Sequence, residues 1–153
     1  GMKFELVGAV HRYHAALFRP FNLGDPPDVV VKGAEIVIDT LQQVKALVKP
    51  GVKCGEVHAL IQENLMGRLG LKKHPGRTGY SIGIAFAPDW GEGQIISFYM
   101  DDPRPLQAGM TFHLIVNARI PNAALVPCSD TILVTENGCE TLTDALERKL
   151  YVK

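Results

Sequence analysis

The chain has 153 residues, 16 basic side chains against 16 acidic ones, no net formal charge, 46% hydrophobic and 21% charged residues. That length suits one domain with a buried core, the composition excludes a disordered chain, and the lack of a basic run excludes nucleic acid as a partner. No run of about 18 apolar residues is present to span a membrane, and the segment Phe4 to Val10, broken by Glu5, is too short for a secretion signal.

Gly1 ahead of Met2 reads as the remnant of a removed tag. Two strand-like runs follow, Lys3–Tyr13 and about Ala15–Leu23. His11 and His14 are three apart in a strand, so alternation sends them to opposite faces and they do not make a ligand pair. Gly24-Asp25-Pro26-Pro27-Asp28 breaks the pattern and suits a helix start. From Asp28 to Val48 apolar residues recur at Val30, Ala34, Val37, Leu41, Val44 and Val48, one helical stripe that Lys49-Pro50-Gly51 ends. A second helix is expected from about Gly55 to Leu69, with Val57, Leu60, Ile61, Leu65 and Leu69 on one face and Gly70 as its C-terminal cap.

Beyond Gly79 the pattern turns β-rich. Candidate strands are Tyr80–Phe86, Thr111–Ala118, Ala124–Val134 and about Glu140–Leu142. Pro88 to Gly93 reads as a loop, Asp101-Asp102-Pro103-Arg104-Pro105 as an irregular turn, and Asn137-Gly138 as a hairpin signal. Two strands, two helices and several antiparallel strands make an α+β domain with its helices segregated on one face of the sheet. Cys54, Cys128 and Cys139 are odd in number and lack metal-type spacing. They read as reduced thiols in or near the core, which places the chain in the cytoplasm.

Three segments carry a family resemblance. They are Arg77-Thr78-Gly79-Tyr80-Ser81-Ile82-Gly83, then Gly109-Met110-Thr111-Phe112, then Asp130 to Gly138. In this order and spacing they resemble the second half of the pita-bread catalytic domain of methionine aminopeptidases, prolidases, aminopeptidases P, creatinases and ectoine hydrolases. The words Gly79 to Gly83, Pro88-Asp89-Trp90-Gly91-Glu92 and Gly109 to Ile115 look most like the ectoine hydrolase branch. The resemblance runs from about Phe4 to Thr143 and implies a curved antiparallel sheet. Residues 1–153 would then be a single partial pita-bread domain, truncated at its N-terminal side.

The resemblance also implies a ligand tally. Where the peptidases hold metal, this chain places Glu5, Ala16, Tyr80, Ile115 and Ser129. Hard divalent cations need several oxygen ligands, and a two-metal site needs bridging carboxylates. A single glutamate does not supply them, so neither metal nor other cofactor is expected. His113 and Glu5 are the candidate catalytic residues: a histidine titrates near neutrality, and His113 shares a strand face with Ile115. Tyr80, His14, Trp90 and Ser129 are candidate substrate-binding residues.

Two classes of function follow. One is a metal-independent hydrolase of a non-peptide C–N bond in a small molecule, by analogy with creatinase and ectoine hydrolase. The catalytic histidine of creatinase-like relatives, however, belongs to the portion ahead of Glu5. The other is a non-catalytic remnant that binds a small molecule or oligomerises. An apolar face or sheet edge left open by the truncation favours a homodimer.

Overall fold

The computed structural model describes residues 2–72, 76–86 and 88–153. Gly1 lies outside the described residues. A hairpin of β1 (Met2–Val10) and β2 (Tyr13–Asn22) opens the chain, followed by α1 (Asp28–Leu47) and α2 (Cys54–Leu69). Then come β3 (Gly79–Ser81), β4 (Thr111–Arg119), β5 (Leu125–Val134), β6 (Cys139–Thr141) and β7 (Tyr151–Val152). One sheet runs β1-β2-β5-β4-β3, with β6 added to β5 and β7 to β2.

The helical stripes form where the spacing puts them. Val30, Ala34, Val37, Leu41 and Val44 are buried along α1, and Val57, Ile61 and Leu65 along α2. Both helices share a core with Phe112, Leu114, Val116, Ile132 and Val134 from one face of β4 and β5. Each such side chain contributes roughly 1.5–3 kcal/mol by leaving water. Glu56 caps α2 by accepting from the Lys53 amide at 2.8 Å. Gly70 ends it in the left-handed conformation at φ 62°, its amide donating to Leu65 and Met66 carbonyls.

Three expectations change. The first strand stops at Val10, because His11 and Arg12 adopt φ of 50° and 72° and turn the chain directly into β2. His11 is thus a turn residue, not the strand partner of His14. The segment Tyr80–Phe86 is a strand only through Ser81. Beyond it, the Glu92 carboxylate takes the Ile84 and Ala85 amides, both at 3.0 Å, and holds that backbone out of the ladder. The sheet is also not wholly antiparallel: Tyr151 and Val152 pair in parallel with Phe21 and Asn22, an addition that two residues of sequence give no period to reveal. The Asn137-Gly138 hairpin forms, with the Thr135 amide on the Gly138 carbonyl at 2.9 Å.

Register decides which residues meet. Antiparallel pairs Tyr80–His113, His113–Thr131, Ile115–Ser129 and Phe18–Ser129 put these side chains on the face away from the helices. β1 pairs with β2 so that Glu5 stands opposite Phe18, and Val7 opposite Ala16, on that same face.

Candidate functional site

The site is a chain of hydrogen bonds across three strands. His113 on β4 bonds through Nδ1 to the Tyr80 hydroxyl on β3 at 2.9 Å, and through Nε2 to Ser129 Oγ on β5 at 2.6 Å. Ser129 Oγ also accepts the Phe18 amide of β2 at 2.6 Å. Two residues on, Thr131 Oγ1 accepts from the Ala16 amide and donates to the Ala16 carbonyl, each at 2.8 Å. Short hydroxyl side chains thus do between β2 and β5 what backbone pairs do elsewhere, and they make the junction rigid.

Aromatic rings surround the histidine. Tyr80 meets it edge-on with centroids 5.2 Å apart, and Phe18 packs at 5.3 Å. The Arg77 guanidinium lies 4.3 Å from the Tyr80 ring centre and Lys3 Nζ 4.4 Å from that of Phe18. Gly79 is obligatory here: a Cβ would come within 2.6 Å of Phe98 and 2.8 Å of the His113 carbonyl oxygen. At Gly91 a Cβ would come within 2.8 Å of the Tyr80 ring.

Burial sets the protonation states. His113 has no exposed surface, and its pKa is pushed down to about 3, mainly by burial, with the charges of Lys3 and Arg77 adding and Asp130 opposing. It is neutral at physiological pH. The Glu5 carboxyl is raised, first by burial and then by Asp89, against the pull of Lys3. The Tyr80 phenol is raised by burial and by the charge of Glu5. Trp90 borders this group. Its indole N–H is buried and lacks a hydrogen-bond partner among the described residues, yet it lies close enough to the phenol to oppose that rise.

Not every candidate reaches an open face. His113 was expected to be catalytic; it lies beneath the surface with both ring nitrogens engaged. Ser129 was expected to touch substrate, but it is equally enclosed and its hydroxyl is spent on His113 and Phe18. Strand register puts His113 and Ser129 on the interior strands of the sheet, where the Phe18 and Tyr80 rings pack against the imidazole. Glu5 and His14 are half-buried at the open side, and His14 Nδ1 sits 3.3 Å from the Gly83 carbonyl. Tyr80 keeps 7% of its surface exposed. Sequence reasoning missed Thr131, Phe18 and Lys3. Only the β1–β2–β5 register, not any motif, brings them to the site.

A second cluster backs the site on the helix side. Asp130, fully buried, accepts from Arg19 at 3.0 Å, Lys45 at 3.1 Å and Arg148 at 2.5 Å. Arg19 also donates to the carbonyls of Phe18, Ser129 and Leu146 at 2.8, 2.6 and 2.7 Å, tying β2, β5 and the C-terminal tail together. An apolar groove of about 230 Å³ lies on this same side of the β1–β2 hairpin, lined by Phe4, Leu6, Leu17, Phe21, Leu146 and Tyr151 together with Arg19. It lacks titratable groups other than Arg19 and Tyr151, so the chemistry belongs on the opposite face.

Comparison with known proteins agrees with this geometry. The profile of Metallopeptidase family M24 matches residues 2–136. The chain belongs to the M24 family. It is 35% identical over 153 residues to an ectoine hydrolase of Halomonas elongata, covering all of this chain and 37% of that protein. It is 28% identical over 145 residues to a Xaa-Pro dipeptidase of Pyrococcus horikoshii, covering 94% and 39%. A dipeptidase structure from Pyrococcus horikoshii superposes with a TM-score of 0.84 at 23% identity, over 97% of this chain and 40% of that one. A methionine aminopeptidase from Thermotoga maritima gives 0.73 at 20%, over 91% and 61%. The fold is therefore the pita-bread fold of the M24 family, and the chain spans no more than about two fifths of the length of the curated relatives it matches.

The M24 name implies metal, and the side chains present do not fit one. Among the described residues no three of His, Cys, Asp and Glu are grouped to hold an ion. Glu5 is the lone carboxylate of the five positions, Ala16 and Ile115 have no donor atom, and the Tyr80 and Ser129 oxygens are committed to His113. Also among the described residues, no helix is long and apolar enough to cross a membrane.

Proposed function

We propose that this M24 chain is the ligand-binding part of a metal-independent hydrolase that acts on a non-peptide C–N bond of a small molecule, as the name of its ectoine hydrolase relative suggests. One observation carries the reading: a neutral Tyr80–His113–Ser129 chain, with Ala16 and Ile115, stands where the family resemblance puts metal ligands. Glu5 is then the acid–base group. Its raised pKa and half-buried position suit it to take the proton of an attacking water as the oxygen bonds to carbon. It returns that proton to the nitrogen as the C–N bond breaks. His113, with both nitrogens occupied, supports the site and does not touch substrate. Tyr80, His14 and Trp90 line it. The three unpaired thiols support a cytoplasmic setting.

The test is turnover of ectoine, a cyclic amidine, followed by NMR after exhaustive chelation. Ring opening that persists without metal and falls at least tenfold in Glu5→Gln supports the reading. Turnover that returns only on adding manganese, cobalt or zinc refutes metal independence, as does a rise in melting temperature at stoichiometric metal that Glu5→Gln abolishes. Binding without turnover would favour the second reading, a non-catalytic binding or oligomerisation module. The uncovered apolar groove at Phe4, Leu6 and Leu17 speaks for that module.

A further inference from the structure

We infer that Tyr80 offers its O–H to the site as a hydrogen-bond donor, because Ser129 selects the His113 tautomer that makes the phenol oxygen an acceptor on its other side. The inference rests on the proposed function only for the identity of the ligand. It follows from an accounting of donors and acceptors.

Four groups share three bonds: Tyr80 with His113, His113 with Ser129, and Ser129 with the Phe18 amide. The amide can only donate, so Ser129 Oγ accepts there. A neutral imidazole carries one N–H, on Nδ1 or Nε2. If Nε2 holds it, Ser129 accepts twice and its own proton has no acceptor. Ser129 has no exposed surface, and its hydroxyl oxygen makes no other bond among the described residues. A buried orphan donor of that kind is costly.

If Nδ1 holds the proton, both fully enclosed side chains, His113 and Ser129, are satisfied. Ser129 donates to Nε2 while accepting the Phe18 amide. Nδ1–H donates to the phenol oxygen. The one proton left over is that of Tyr80, the member of the chain that keeps some exposure and feels the Glu5 charge. The O–H is therefore the donor left for a carbonyl or carboxylate oxygen when a ligand enters. A donor fixed in this way, on a side chain that keeps only 7% of its surface exposed, stabilises negative charge that develops on such an oxygen. His113 and Ser129 are positioning residues for Tyr80.

The test needs no substrate and no activity, so it is independent of the hydrolase reading. Protein labelled with ¹⁵N-histidine is examined by long-range proton–nitrogen NMR. The His113 ring is assigned by its loss in His113→Gln or, if that variant does not fold, by through-space contacts to Phe18 and Thr131. The expected result is a single neutral tautomer with the proton on Nδ1 and a bare, hydrogen-bonded Nε2, unchanged from pH 5 to 8. A proton on Nε2, a cationic ring or a rapid mixture of tautomers overturns the inference. In Tyr80→Phe the Nδ1 proton is expected to stay in place while its resonance moves upfield as the acceptor is lost. An unmoved resonance shows that the phenol is not that acceptor, and overturns it as well.

Discussion

Replacing Asp130 with asparagine keeps the shape of the side chain and removes one buried negative charge. The structure sets the size of the effect. Removing one member of a buried ion pair typically costs about 3–5 kcal/mol, because the partner charge stays behind. Of the three cations on Asp130, Lys45 and Arg148 keep 13% and 14% of their side-chain surface exposed and can turn toward water. Arg19, at 4%, cannot, but it retains the carbonyls of Phe18, Ser129 and Leu146. The loss should therefore fall near the lower end, about 3 kcal/mol, out of a total stability on the order of 5–15 kcal/mol. For a chain of this length that lowers the melting temperature by roughly 6–12 °C. Urea unfolding followed by circular dichroism measures it, with an unchanged slope showing that the native state is still compact. The double replacement Asp130→Leu with Arg19→Met should cost less than the sum of its single replacements, since it removes both charges together. A loss below about 1 kcal/mol for Asp130→Asn, or strict additivity in the double variant, would refute the view that this cluster fixes β2, β5 and the tail.

Two further outcomes are expected. The folded-state pKa of His113 is lowered from 6.5 to about 3, so the unfolded chain binds a proton there that the folded one refuses. Stability is therefore fully present above pH 6.5 and is lost as pH falls toward 3, with a slope of about 1.4 kcal/mol per pH unit from this one group. His113→Gln should remove that increment from urea unfolding measured across the window, and an identical slope in both proteins contradicts the assignment. Secondly, the apolar side of the β1–β2 hairpin, with Phe4 at 45% and Leu6 at 51% exposure, should bring two copies together. Light scattering behind size exclusion at micromolar concentration should return the mass of two chains, Leu6→Glu should return that of one, and a single-chain mass for the unaltered protein counts against the idea.

Both helices were legible from the sequence, because burial on one side of a helix repeats every three or four residues. The stripe from Val30 to Val44 sits in the core, and the stops at Lys49-Pro50-Gly51 and Gly70 hold within a residue or two. The β-rich second half was legible from short β-branched runs separated by turn residues, which mark β4 and β5 although β5 is buried along nearly its whole length. The motif words around Tyr80, Thr111 and Asp130 were enough to name a family that the profile match confirms. Sequence fell short where a residue's environment comes from another strand. Nothing near His113 in the chain says that it is sealed between Tyr80 and Ser129, 33 and 16 positions away. An isolated histidine beside an alternating strand reads as a titratable group, and only the register of β3, β4 and β5 makes it neutral. Thr131 and Asp130 are neighbours in sequence but serve opposite faces of one sheet, the first closing the seam to Ala16, the second gathering Arg19, Lys45 and Arg148. Periodicity is a local property and survives in the sequence. Burial and hydrogen-bond partnership across strands are properties of the packed sheet, so the protonation state of the site was decided only by the tertiary structure.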